Sequence, residues 1–182
     1  MKVQPLLANE ISQAAELLKS GNDKTAKRNY LLFLIGCNTG LRISDLLGLT
    51  LADLKSGRIM QQKTKKTVYI PVIQELITYT EGFCKICGLS DNDLIFNSMQ
   101  KRRLSYIQAY RIMKEIGNKL GKNTGCHTTR KTFGRMLYDK TKDVALTAQA
   151  LGHKDLSSVL HYIGKTDDEL TVARKEIGLI GG

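Results

Sequence analysis

The chain has 182 residues, 42% of them apolar, with two prolines and a formal net charge of +11. That length fits one domain with a sizeable core, and the composition excludes a disordered chain and favours helix. No apolar run approaches the roughly 20 residues that span a bilayer, and the N-terminal "MKVQPLLANE" lacks the apolar core of a signal peptide, so a cytoplasmic protein without a membrane partner is expected.

In chain order, Asn9 is placed to cap a helix running to about Lys19, with Ile11, Ala14, Ala15 and Leu18 on one face, before "SGND" breaks it. A second helix over about 24–37 contains the longest apolar run, "YLLFLIGC", and ends at "NTG", where Gly40 suits a left-handed cap. A short helix follows from about Ile43. "RIMQQ" and "TVYIPV" then flank the basic "KTKK", the pattern of a β-hairpin with lysines in its turn. Helix resumes over about 73–87 and 105–120, with "DLIF" between them as a short edge strand. Further helical stretches are expected at about 128–140, 143–150 and 157–162. Thr166 and Glu169 form a capping box that opens one last helix. Its apolar residues Leu170, Val172, Ala173, Ile177 and Leu179 can dock on a neighbouring protomer or on their own domain. The expected fold is mainly α with a small antiparallel sheet.

Cysteine usage says little. Cys84 and Cys87 form a C-x-x-C, but neither Cys37 nor Cys126 supplies a second pair at zinc-ribbon spacing, so reduced thiols are expected rather than a metal site. Charge is more informative. Residues 96–142 hold twelve Lys and Arg against two acids, and residues 54–71 hold five and none. Two basic blocks in an otherwise near-neutral chain point to a polyanion-binding face, most often for nucleic acid. Within them Lys65, Lys66, Lys101, Arg102, Arg103, Lys131 and Arg135 are the candidate contacts to a DNA backbone.

Taken singly, the remaining polar residues have plain explanations. Arg42 follows a glycine turn and can pair with Asp45. Hairpin lysines are usually solvated, and "HTTR" can be a helix-start histidine with a surface arginine. A tyrosine such as Tyr162 is usually a core residue with a bonded hydroxyl. Their order along the chain changes the reading. "TGLRISDLLGL" around Arg42, "KTKKTVYIPV" around Lys63, "HTTRKTFG" with His127 and Arg130, and "LGHKDLSSVLHYIG" with His153 and Tyr162 together resemble the tyrosine recombinase (phage integrase) family. The resemblance runs from about residue 28 onward and rests on four separate motifs in order.

The resemblance implies the integrase catalytic-domain fold and a set of roles. Arg42 and Arg130 would clamp the scissile phosphate, and Lys63 would protonate the leaving 5′-oxygen. His127 and His153 would bond the phosphate and assist proton transfer, and Tyr162, nine residues after His153, would be the nucleophile. Such chemistry suits these residue types. Guanidinium forks match phosphate oxygens and stay ionised, and a phenol attacking phosphorus stores the bond as a 3′-phosphotyrosine. It calls for no metal and no other cofactor, and the sequence offers no P-loop. Double-stranded DNA is the implied partner, with a tetramer in the DNA synapse and a monomer when free. Residues 1–182 are expected to form a single catalytic domain with no N-terminal core-binding domain. Thr129 stands where the family usually has leucine, a departure expected to loosen local packing. Two other functions fit the same residues: a DNA-binding module that no longer recombines, and a type IB topoisomerase-like relaxing enzyme.

Overall fold

The computed structural model describes residues 3–97 and 102–152, together with Val159. The expected helix at 157–162 (Val159 apart) and the tail helix after Thr166 lie outside the described residues. The first helix, α1 (Ala8–Lys19), starts earlier than expected. Asn9 lies inside it, because the Glu10 carboxylate reaches back 2.7 Å to accept from the Leu7 amide and opens the helix there.

Helix α2 (Lys24–Thr39) is the centre of the molecule. Asp23 caps its start by accepting from the Ala26 amide at 2.6 Å, and Gly40 ends it with φ +62°. Leu31, Leu32, Phe33 and Ile35 are fully buried on it, and burial of each contributes about 1.5–3 kcal/mol relative to exposure. A helix apolar on most sides needs neighbours on most sides. Helix α1 packs on it, and α3 (Ile43–Leu46) follows directly from its glycine cap.

A fourth helix, α4 (Leu51–Ser56), was not expected from the sequence. Its signal is local nonetheless: Thr50 Oγ1 accepts from the Asp53 amide at 3.1 Å while Asp53 accepts from the Thr50 amide at 2.9 Å, a capping box. Then comes the hairpin, with β1 (Arg58–Met60) antiparallel to β2 (Thr67–Tyr69) and Ile59 opposite Val68. Two strands alone are marginal in water. This pair is anchored by the buried Ile59 and Ile70, and by the Ile70 amide donating to the Gly57 carbonyl at 2.9 Å.

Helix α5 (Gln74–Cys87) packs on α2 and carries Cys84 and Cys87 in its last turn, Cys84 buried. The "DLIF" segment does not pair as an edge strand of the hairpin sheet. Leu94 makes a single bridge with Thr50, and the Ile95 amide donates to Leu49. Ile95 and Phe96 are fully buried, so the segment is core connection rather than sheet edge. Helix α6 (Tyr106–Leu120) is capped by Ser105 and buries Ala109, Ile112, Met113 and Ile116. Helices α7 (Thr128–Thr141) and α8 (Val144–Leu151) complete the described fold, α7 against α2 and α8 against α7.

The α2–α7 contact is close because of glycine. A Cβ on Gly36 would lie 2.7 Å from Thr129 Oγ1 and 2.8 Å from its Cβ. Thr129 is buried there, so the small residue in place of leucine accompanies a tight helix crossing rather than the loosened packing expected of it.

Candidate active site

Arg130 organises the site. It lies on the first turn of α7 and is only 4% exposed. Its Nη1 donates to the Gly40 carbonyl at 2.6 Å, and its Nη2 donates to the Leu151 carbonyl. Those acceptors end α2 and α8. Gly40 stands two residues before Arg42, and Leu151 two before His153, so one buried guanidinium ties together the places where both segments leave their helices. Five donors are available on a guanidinium, so holding carbonyls is compatible with reaching a phosphate. Gly40 is required at this junction twice over. Its φ is left-handed, and a Cβ on it would come 2.3 Å from the Phe133 ring.

Arg42 is the N-cap residue of α3 and is half-buried. Its sequence neighbour Asp45 is buried and turns elsewhere: Oδ1 accepts from the Gln62 amide at 2.9 Å. Asp45 Oδ2 is also buried and has no hydrogen-bond partner among the described residues. The Arg42–Asp45 pair that was the plain alternative for Arg42 is thus absent, and Asp45 instead bonds α3 to the base of the lysine hairpin. Sequence reading missed this use of Asp45. A carboxylate three residues after Arg42, on a helix with leucines around it, was the available signal.

His127 caps α7 with φ −93° and ψ −5°, and its backbone carbonyl accepts from the Lys131 amide at 2.9 Å. Partial withdrawal from water lowers the imidazole pKa below the ordinary histidine value, and the charges of Arg130, Lys131 and Arg42 lower it further. Arg42 and Arg130 are thus both near enough for their charges to act on the His127 imidazole. Such a cluster of positive groups at a helix start is a place for an anion.

Lys63 sits in the turn between β1 and β2 and is exposed. The turn is closed by the Lys65 amide donating to Gln61 and the Gln61 amide donating to Lys66, both at 2.9 Å. Lys65 adopts φ +55°, and Lys65 and Lys66 are exposed beside Lys63. Arg102 is exposed as well. Arg103 donates through Nη1 to Gln62 Oε1 at 3.1 Å and through Nη2 to the Ser44 carbonyl. Lys131 Nζ donates to the Val3 carbonyl at 2.7 Å, and Arg135 Nε to Asp139 at 2.7 Å. His153, Tyr162 and Lys101 lie outside the described residues.

Among the described candidates the hairpin lysines, Arg102 and Arg103 are exposed, with Arg42 half-buried and Arg130 buried. A cavity of about 780 Å³ lined by Tyr110, Lys114, Lys122 and Asn123 contains none of these residues. Among the described residues no helix is long and apolar enough to cross a membrane.

Comparison with known proteins gives a consistent result. The model of the phage integrase family matches residues 5–169. The probable integrase/recombinase YoeC of Bacillus subtilis (strain 168) is 36% identical over 186 residues, which cover 97% of either chain. Tyrosine recombinase XerA of Pyrococcus furiosus is 28% identical, over 96% of this chain and 62% of that one. The crystal structure of the XerH site-specific recombinase bound to a palindromic difH substrate superposes with a TM-score of 0.75 at 24% identity, over 94% of this chain and 52% of that chain. The chain therefore spans nearly all of the Bacillus relative and less than two thirds of XerA and XerH.

Proposed function

The chain belongs to the phage integrase family, and on that premise we propose that it is a site-specific tyrosine recombinase domain that breaks and rejoins double-stranded DNA in the cytoplasm. The observation that carries this reading is the bond from Arg130 to the Gly40 carbonyl, two residues before Arg42, with the Lys63 hairpin bonded to the helix that follows Arg42.

In this reading the scissile phosphate sits between Arg42 and Arg130, whose donors balance the charge that develops on its non-bridging oxygens. His127 and His153 add hydrogen bonds to the same oxygens. The Tyr162 hydroxyl gives its proton to a neutral imidazole of the His127 and His153 pair as its oxygen attacks phosphorus, and the bond to the 5′-oxygen breaks. Lys63 gives that oxygen its proton, so the products are a 3′-phosphotyrosine and a free 5′-hydroxyl. Reversal with a different 5′-hydroxyl rejoins the strand. The reaction uses no external energy source because the phosphotyrosine conserves the phosphodiester bond.

Lys65, Lys66, Lys101 and Arg102 are proposed to touch the DNA backbone near the cleavage point, and Arg103, Lys131 and Arg135 extend the same positive face behind them. Recombination needs two sites, so the working assembly is proposed to be a tetramer in the synapse, with a monomer free in solution. Incubation with labelled duplex, followed by denaturing electrophoresis, tests the reading. A protein-linked DNA band that is lost in Arg130→Ala and Tyr162→Phe supports it. Wild-type protein that binds the duplex but never forms such a band would leave a DNA-binding module instead.

A further inference from the structure

Gln62, the residue before Lys63, is exposed yet bonded through both its backbone and its side chain. Its amide donates to Asp45 Oδ1 at 2.9 Å, and its side-chain oxygen accepts from Arg103 Nη1 at 3.1 Å. Gly48 lies beside both side chains: a Cβ there would come 2.8 Å from Gln62 Nε2 and 3.5 Å from Arg103 Nη2. Arg103 also donates to the Ser44 carbonyl, so its guanidinium forks between the helix after Arg42 and the base of the hairpin. Around the turn itself the bonds among the described residues are short-range, among them Thr64 Oγ1 to Gln61 Oε1 at 2.7 Å. A two-stranded hairpin of this length has little rigidity of its own. Its tip takes its position from whatever holds its base.

We propose that Arg103 and Gln62 form a latch that places Lys63 for proton donation, making both of them positioning residues. This rests on the reading of Lys63 as proton donor. The fork explains why the residue is arginine. Its planar donors span two acceptors at once, which a lysine ammonium at the end of a flexible stem does not reproduce. Gly48 supplies the room for the Gln62 amide, and Asp45 fixes the backbone of the same residue. Lys63 is then one residue from a point held at both backbone and side chain.

Two measurements on the whole chain test the latch. The first needs no DNA: backbone amide relaxation by NMR across residues 61–66 in wild type, Arg103→Lys, Arg103→Met and Gln62→Ala. Both Arg103 variants and Gln62→Ala are expected to raise mobility on the nanosecond scale at residues 63–66 and leave α2 and α7 unchanged. Unaltered turn amides would overturn the latch. The second compares single-turnover cleavage of a nicked duplex, carrying a site recovered from a random pool by covalent capture on this chain, with an ordinary 5′-oxygen or a 5′-phosphorothiolate at the scissile bond. A thiolate leaves without a proton. With protein saturating over DNA, so that a weakened backbone contact does not enter the rate, the three variants should slow the oxygen substrate about 10-fold, less than the ~10²–10⁴ loss of a missing acid, and slow the sulfur substrate far less. Equal slowing of both substrates would overturn the positioning role. Lys63→Ala on the same pair is the separate check on the donor: without its rescue by sulfur the donor reading fails, whatever the relaxation data show. Should Arg103 serve only as a phosphate contact, Arg103→Lys would retain full activity and Arg103→Met would lower the salt slope of binding by about 1, and the latch would fall.

Discussion

Residue by residue, the site is built from groups whose environment matters more than their identity. Arg130 could be taken for a second copy of Arg42, yet it is buried and bonded to two backbone carbonyls, while Arg42 is half-exposed at a helix start. His127 shows the electrostatic consequence of putting them together. Its imidazole is partly withdrawn from water and feels the charges of Arg130, Lys131 and Arg42, so the folded protein holds its pKa below the ordinary value. The sign of the linkage follows. Below the ordinary histidine range the unfolded chain takes up this proton more readily than the folded one, so His127 destabilises the fold as pH falls and has no effect at higher pH. An anion between the arginines reverses the field. The imidazole Cε1 proton, followed by NMR, should titrate below the ordinary histidine value in free protein and move upward when vanadate, a phosphate mimic, is added. A free-protein titration at or above the ordinary value would contradict the clustering described for these residues.

The elements differ in how much of them the sequence announces. Helix α2 and its glycine cap, the hairpin, α5, α6 and α7 follow from signals a few residues apart: apolar spacing, Asp23 or Ser105 at a helix start, Gly40 and Gly88 at an end. Helix α4 was equally legible through Thr50 and Asp53, but its few apolar residues read as a continuation of the preceding leucines. "DLIF" misled for the opposite reason. Its β-forming residues invite a strand, whereas the tertiary fold uses Ile95 and Phe96 as core. What stays hidden is long-range. Gln62 and Arg103 are 41 residues apart, and Arg130 and Gly40 are 90 apart, so their bonds exist only once the helices have packed. The same holds for Thr129, whose small size has meaning only against Gly36. Gly36→Ala places a methyl inside contact distance of Thr129 and should destabilise the protein by about 1–3 kcal/mol, the usual cost of overpacking. Urea denaturation measures this. A change within about 0.5 kcal/mol, the range of an ordinary surface substitution, would show that α2 and α7 have room to separate.

At the scale of the whole molecule, charge and site coincide. The basic excess lies in residues 54–71 and 96–142, which include the Lys63 hairpin, Arg102 and the His127–Arg130 turn, and the proposed function has one DNA backbone meet them together. If about six phosphates are neutralised, the slope of log K against log salt on B-DNA should be about −5, a loss of roughly 10³-fold between 50 and 200 mM salt. Phosphate contacts position a protein without reading sequence, so the domain alone should bind random duplex and an attachment site with similar, weak affinity. A shallow slope, or tight site-specific binding at physiological salt, would contradict this picture of the interface. The central claim is chemical, and it concerns a single atom. Trapping the protein on a nicked target half-site, digesting the covalent complex and sequencing the DNA-linked peptide by mass spectrometry identifies the nucleophile directly. The expected linkage is from the 3′-phosphate to Tyr162, nine residues after His153. A linkage at Tyr106, Tyr110 or Tyr138 would contradict the assignment, and with it the placing of the phosphate between Arg42 and Arg130.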